Sequence, residues 1–214
     1  MSDVSNQWLS ENFSSNCTIF DIGAADLRDT VTWKTLFPNN KYYAFECAEA
    51  WKAANPFVAK QYGINYFHVA MSDHSNGVSF YPSDTWKGQD WNYSGTTFKP
   101  GIQEGMVWAE PYTVESTTIN EFCQTNCVVP DFIHIDVEGG EYAVLNNMKP
   151  EFRPKAVWAE VCILSLHDTK INYEMFNEMM VGQGYTQVYR SFQDALYVRN
   201  DAELTKYPLE STVT

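Results

Sequence analysis

The sequence predicts an α/β domain: a mostly parallel β-sheet with helices on both faces and an antiparallel pair of strands at its end. Three observations lead there. Short apolar runs alternate with stretches of helical periodicity, the pattern of successive β–α–β units. The last two β-like runs are joined by a short link, Arg190 to Asp194, which is too brief for a crossover helix and suits an antiparallel pair. With 214 residues, the chain is long enough for one such domain with a full core and too short for two comfortable ones. Residues 1–214 are therefore expected to form a single domain.

The elements follow in order. Thr18–Ile22 is a short apolar strand that ends at Gly23. Val31–Phe37 suits a helix stopped by Pro38. Lys41–Phe45 is a second strand closed by Glu46, Ala48–Ala54 a helix and Tyr66–Ala70 a third strand. Val78–Tyr81 follows a turn at Asn76-Gly77 and reads as a hairpin arm. Thr118-x-x-Glu121 is a capping box for a short helix through Phe122. Phe132–Val137 is the fourth strand, followed by a helix over Glu141–Met148 with Val144, Leu145 and Met148 at helical spacing. Ala156–Val161 is the fifth strand, and Asn172–Val181 a helix stopped by Gly182 and Gly184. Tyr185–Tyr189 and Ala195–Arg199 complete the sheet, and the tail after Asn200 is expected to be a surface extension. Pro82–Pro111 breaks the rhythm. It is rich in glycine, carries Trp86, Trp91, Tyr93, Phe98 and Trp108, and has little periodicity, so it is expected to be an irregular insertion that could serve as a substrate lid.

Composition narrows the partners. A hydrophobic share of 44% against 19% charged residues marks a globular chain rather than a disordered one. The net charge of −13 repels phosphate backbones and anionic membranes, so neither nucleic acid nor a membrane is an expected partner. No run approaches the ~18 apolar residues of a membrane span. The first residues lack a basic region followed by an apolar stretch, so no signal peptide is expected and the cytoplasm is the default location. Cys17, Cys47, Cys123, Cys127 and Cys162 have no spacing that suggests a zinc site, and they are expected to be reduced. No metal site is expected, and the sequence does not specify an oligomeric state.

Two features at strand ends suggest a nucleoside cofactor. Asp21-Ile22-Gly23-Ala24-Ala25 ends the first strand with a small-residue turn, where a backbone can approach a ligand closely. Glu46 ends the second strand, where a carboxylate can accept hydrogen bonds from both hydroxyls of a ribose. A dinucleotide prefers G-x-G-x-x-G beside its pyrophosphate, yet Gly23 is followed by Ala24, Ala25, Asp26 and Leu27. S-adenosylmethionine has no phosphate and carries two cationic groups, so carboxylates near the turn are tolerable. A third cluster, Asp136-Val137-Glu138-Gly139-Gly140-Glu141, follows the fourth strand. Its carboxylates could face a cationic cofactor, take a proton or hold a divalent metal, or merely favour the next helix N-terminus. Glu160 ends the fifth strand on the same sheet edge, and His167 lies in the loop after it. His134, inside the fourth strand, reads as a core residue.

Together these segments resemble the FkbM family of S-adenosylmethionine-dependent methyltransferases. The resemblance runs through Asp21-Ile22-Gly23-Ala24, Leu36-Phe37-Pro38-Asn39, Tyr43-Ala44-Phe45-Glu46, Ala70-Met71-Ser72-Asp73, Ile135-Asp136-Val137-Glu138-Gly139 with Glu141, and Ala195-Leu196-Tyr197-Val198. It implies the class I methyltransferase fold, a Rossmann-like three-layer sandwich with a seven-stranded sheet and a reversed last strand. It also implies that Asp21, Gly23 and Ala24 meet the methionine part of the cofactor, that Glu46 meets its ribose, and that Ala70, Met71 and Ser72 lie near the adenine; Ala25 and Asp136 are further candidate cofactor contacts. Leu27 stands where the family usually keeps a second glycine.

The expected function is O-methylation of a hydroxyl on a small molecule or glycan. Asp136, Glu138, Glu160 and His167 are the candidate catalytic residues, and aromatic side chains of the insertion are expected to stack on the acceptor. Two rivals stand beside it: a non-catalytic glycan- or protein-binding module on the same fold, and an NAD(P)-dependent oxidoreductase.

Overall fold

A computed structural model describes residues 6–91, 93–101, 104–162 and 171–207. The chain opens with helix α1 (Asn6–Phe13), which the periodicity reading passed over. There follow β1 (Thr18–Ile22), α2 (Arg28–Leu36), β2 (Lys41–Phe45), α3 (Glu49–Lys52), α4 (Asn55–Tyr62) and β3 (Asn65–Phe67). Next come the short strands β4 (Ala70–Met71), β5 (Val78–Phe80), β6 (Ser83–Trp86), β7 (Gln89–Asp90), β8 (Met106–Trp108), β9 (Tyr112–Val114) and β10 (Ser116–Thr117). The second half holds α5 (Ile119–Asn126), β11 (Phe132–Ile135), α6 (Glu141–Asn146), a 3₁₀ turn at Pro150–Phe152, β12 (Ala156–Glu160), α7 (Tyr173–Gly182), β13 (Tyr185–Arg190) and β14 (Asp194–Arg199).

Seven strands form the main sheet in the order β13-β14-β12-β11-β1-β2-β3. β14 alone runs antiparallel to its neighbours β12 and β13, while β12-β11-β1-β2-β3 are mutually parallel. The expected sheet with its reversed last strand is thus present. Alternation along the strands sorts side chains onto two faces. Phe20, Ile22, Ile133, Ile135 and Val157 pack against α5, α6 and α7. Ile19, Ala44, Phe132 and Trp158 pack against α1, α2 and α4. Both faces are therefore buried, as a parallel sheet requires.

Local signals explain most boundaries. Thr118 caps α5 by accepting from the Glu121 amide at 3.1 Å, and Asn172 caps α7 by accepting from the Met175 amide at 2.9 Å. Three expectations need correction. The helix expected over Ala48–Ala54 is the short Glu49–Lys52, and a further helix not expected follows it at Asn55–Tyr62, with Pro56 in its first turn, where a missing N–H costs nothing. The third strand is split: Asn65–Phe67 joins the main sheet, whereas Ala70–Met71 pairs with Ser116–Thr117. The tail is not merely an extension, because the Trp8 indole donates to the Thr205 carbonyl at 2.9 Å and Tyr207 packs edge-on against Trp8.

The insertion is also more regular than its sequence suggests. β6, β7 and β8 form a small antiparallel sheet. β5 pairs not with a sequence neighbour but with β9, across the whole insertion. These strands are two to four residues long, below the length at which alternation is readable. The five cysteines are free thiols.

Candidate active site

Chain order reverses between β1 and β11: from β1 the chain moves outward to β2 and β3, and from β11 it moves the other way to β12. Ligands of open α/β sheets bind beyond the strand ends at such a point. Here the Gly23 and Ala24 amides both donate to the Phe45 carbonyl, at 2.9 and 3.0 Å, folding the turn over the end of β2. The Asp136 amide donates to the Ile22 carbonyl at 2.9 Å, drawing in the end of β11. Gly23 sits at φ +84°, and a Cβ placed on it would lie 1.7 Å from the Asp136 carbonyl oxygen. No other residue fits. Ala25 and Leu27 also hold left-handed conformations, at φ 40° and 65°. Leu27, in the place of the family's second glycine, is wholly buried beneath the turn among the apolar side chains of α1 and α2.

Glu46 is drawn tightly to this turn. One carboxylate oxygen accepts from the Ala25 amide at 2.9 Å, the other from the Ala48 amide at 2.6 Å. Burial raises its pKa, and these amides oppose the shift. Asp21 does not reach the cavity. It is the direct register partner of His134 on the neighbouring strand, and both point to the α2 face. Its carboxylate bonds His134 Nδ1 at 2.7 Å and accepts from the Thr30 hydroxyl. Burial lowers the His134 pKa, but the hydrogen bond and charge of Asp21 outweigh it and leave a net rise. Asp21 thus ties β1, β11 and α2 together beneath the turn.

Asp136, Glu138 and Glu160 converge, with one oxygen of each lying within 4.8 Å of the others. Among the described residues this is the one group of His, Cys, Asp or Glu close enough to hold a metal ion. Its oxygen donors would suit a hard divalent cation. The Cys162 thiol donates to Glu160 Oε1 at 3.4 Å. Burial holds all three carboxyls above the usual range, and the Asp136 charge adds to the rise at Glu138 and Glu160. Glu138 itself lies at φ 55°. Glu141, fully buried, braces the turn by accepting from the Val137 and Gly139 amides at 2.9 and 3.3 Å. Burial pushes its pKa to about 7.

A cavity of about 540 Å³ opens above these groups. Of the sequence-derived cofactor residues, Gly23, Ala25, Glu46, Ala70, Met71 and Asp136 line it. Asp21 and Ala24 lie beneath it, and Ser72 is turned toward Asp73, to which its hydroxyl donates at 3.2 Å. Of the candidate catalytic residues, Asp136 and Glu138 face the cavity, while Glu160 stands behind them. His167 lies outside the described residues. The insertion supplies Trp91, Tyr93, Ser94, Gly95 and Thr97 to the opposite wall. Sequence reasoning passed over Arg28, Ala48, Trp51, Phe80 and Gln193, which also line the cavity. Ala48 and Trp51 had a signal, since they directly follow the acidic strand end. Phe80 and Gln193 had none, because distant pairings bring them there.

The family model described as the methyltransferase FkbM domain matches residues 21–188. The chain belongs to this family. The family's cofactor is S-adenosylmethionine. Among solved structures, the chain is similar to a methyltransferase FkbM from Methylobacillus flagellatus KT, with TM-score 0.57 and 12% identity over 91% of this chain. The match spans 46% of that longer protein. The fold is likewise similar to the Methanococcus jannaschii fibrillarin pre-rRNA processing protein, with TM-score 0.53 and 10% identity over 87% of this chain and 68% of that one. No curated protein matches the sequence. These distant likenesses establish the class I methyltransferase architecture. No described helix is long and apolar enough to cross a membrane.

Proposed function

We propose that the protein is an S-adenosylmethionine-dependent O-methyltransferase acting on a hydroxyl of a small molecule or sugar. The observation that carries the reading is the cavity itself. A glycine that admits no Cβ and a ribose-type carboxylate line it beside the half-buried carboxylates of Asp136 and Glu138. The residues suit the cofactor: Gly23 and Ala25 offer backbone beside a small-residue cradle, and Glu46 retains lone pairs for ribose hydroxyls beyond its two amide bonds.

When bound, S-adenosylmethionine supplies an electrophilic methyl group. The chain's contribution is orientation and a proton acceptor. Glu138 faces the cavity and would accept the proton of an acceptor hydroxyl held there. Asp136 and Glu160 stand beside it, one oxygen of each of the three within 4.8 Å of the others. Trp91 and Tyr93 present rings on which an acceptor stacks. Because burial and the neighbouring Asp136 raise the Glu138 pKa, the active, ionised base accumulates as pH rises. The rate should therefore climb with pH past the ordinary carboxylate range.

Calorimetric titration with S-adenosylhomocysteine tests the cofactor site; no binding at millimolar ligand would sink the reading. Glu138→Gln should lower kcat at least a hundredfold with cofactor affinity kept. An unaltered kcat would remove Glu138 as the base.

A further inference from the structure

We infer that Arg28 binds the carboxylate of the cofactor's amino-acid end. This rests on the reading of the cavity as an S-adenosylmethionine site, and it adds a residue that neither the motif pattern nor the family resemblance supplies. The argument is one of charge. The cofactor carries a sulfonium, an ammonium and one carboxylate. The cavity is lined by the carboxylates of Glu46, Asp136 and Glu138, which suit the cationic groups and repel the anionic one. Among the described residues that line it, Arg28 is the single cationic side chain.

Its position also fits. Arg28 is the first residue of α2, directly after the Gly23–Leu27 turn over which the methionine end of the cofactor would lie. Asp26 orients the guanidinium through a contact of 2.8 Å from Nη2, and Tyr93 of the insertion lines the same cavity. The side chain remains 68% exposed, so bonding capacity is left on a fork with five N–H donors. A bidentate hold on a carboxylate is the geometry that guanidinium groups favour. Asp26 keeps the fork near the turn.

The test uses two ligands that differ in the carboxylate alone: S-adenosylmethionine and its decarboxylated form. Both are titrated calorimetrically into the wild type, Arg28→Ala and Arg28→Lys without acceptor. Arg28→Ala should weaken S-adenosylmethionine at least tenfold and the decarboxylated ligand less than twofold, with Arg28→Lys falling between. The inference is overturned if Arg28→Ala leaves S-adenosylmethionine affinity unchanged, or weakens both ligands equally. Because Arg28 is exposed, unchanged thermal unfolding of both variants is expected and separates loss of binding from loss of fold. If the wild type binds neither ligand, the cofactor reading itself fails, which is a different result from a carboxylate-blind Arg28.

Discussion

Gly23 and Leu27 occupy the same turn and respond oppositely to the loss or gain of a side chain. At Gly23 a methyl group would collide with the backbone of Asp136 in a left-handed conformation. Gly23→Ala should cost more than about 2 kcal/mol in urea unfolding and abolish cofactor binding. Leu27 accepts the same type of backbone strain, worth roughly 1 kcal/mol, because its side chain fills the core. Leu27→Gly relieves the strain but empties a buried site, so the net loss should be about 2–4 kcal/mol. A more stable Leu27→Gly variant would show that the side chain is not holding the turn. Glu141 gives a pH signature. Its pKa is about 7 in the folded chain against an unfolded value near 4.5. The folded state therefore binds more protons between these values, and stability falls as pH rises through that window, by on the order of 3 kcal/mol. Glu141→Gln keeps an acceptor for both amides and should flatten this part of the profile. Urea midpoints from pH 4.5 to 8 for both proteins check the difference.

At the scale of elements, the insertion divides the cavity's labour. Its rings Trp91 and Tyr93 stand opposite the cofactor turn and belong to a chain of contacts from Trp86 through Trp91 and Tyr93 to Trp51. Trp91→Ala should raise the acceptor KM about tenfold and leave S-adenosylhomocysteine affinity within twofold. A shift confined to the cofactor would place this wall on the other side of the reaction. The same element shows what was legible in the sequence. The main strands were readable because each is a run of apolar residues bounded by turn signals. The insertion's strands were not, since they are held by partners far along the chain, as β5 is by β9. Asp21 was correctly marked as special for a reason that proved different. The sequence placed it at a strand end, whereas register with His134 decides which way it points. The acidic cluster could be read from Asp136 to Glu141, but the joining of Glu160 to it required adjacent β11 and β12. Arg28 gave no signal at all, because a lone arginine at a helix start is ordinary.

For the molecule as a whole, the net charge of −13 sets the company it keeps. The similar Methanococcus protein acts in pre-rRNA processing, yet its likeness is one of fold. This chain should pass through duplex DNA-cellulose unretained at 0.15 M salt, and retention would reveal a basic face hidden by the overall balance.

The pairing of β5 with β9 has a wider consequence. It brings the two ends of the insertion side by side, so the intervening segment leaves and re-enters the sheet domain at one doorway. The two ends meet at β5 and β9, and closing a longer or shorter segment between them adds little entropic cost. A segment grafted there from another member should therefore carry its own acceptor preference with it.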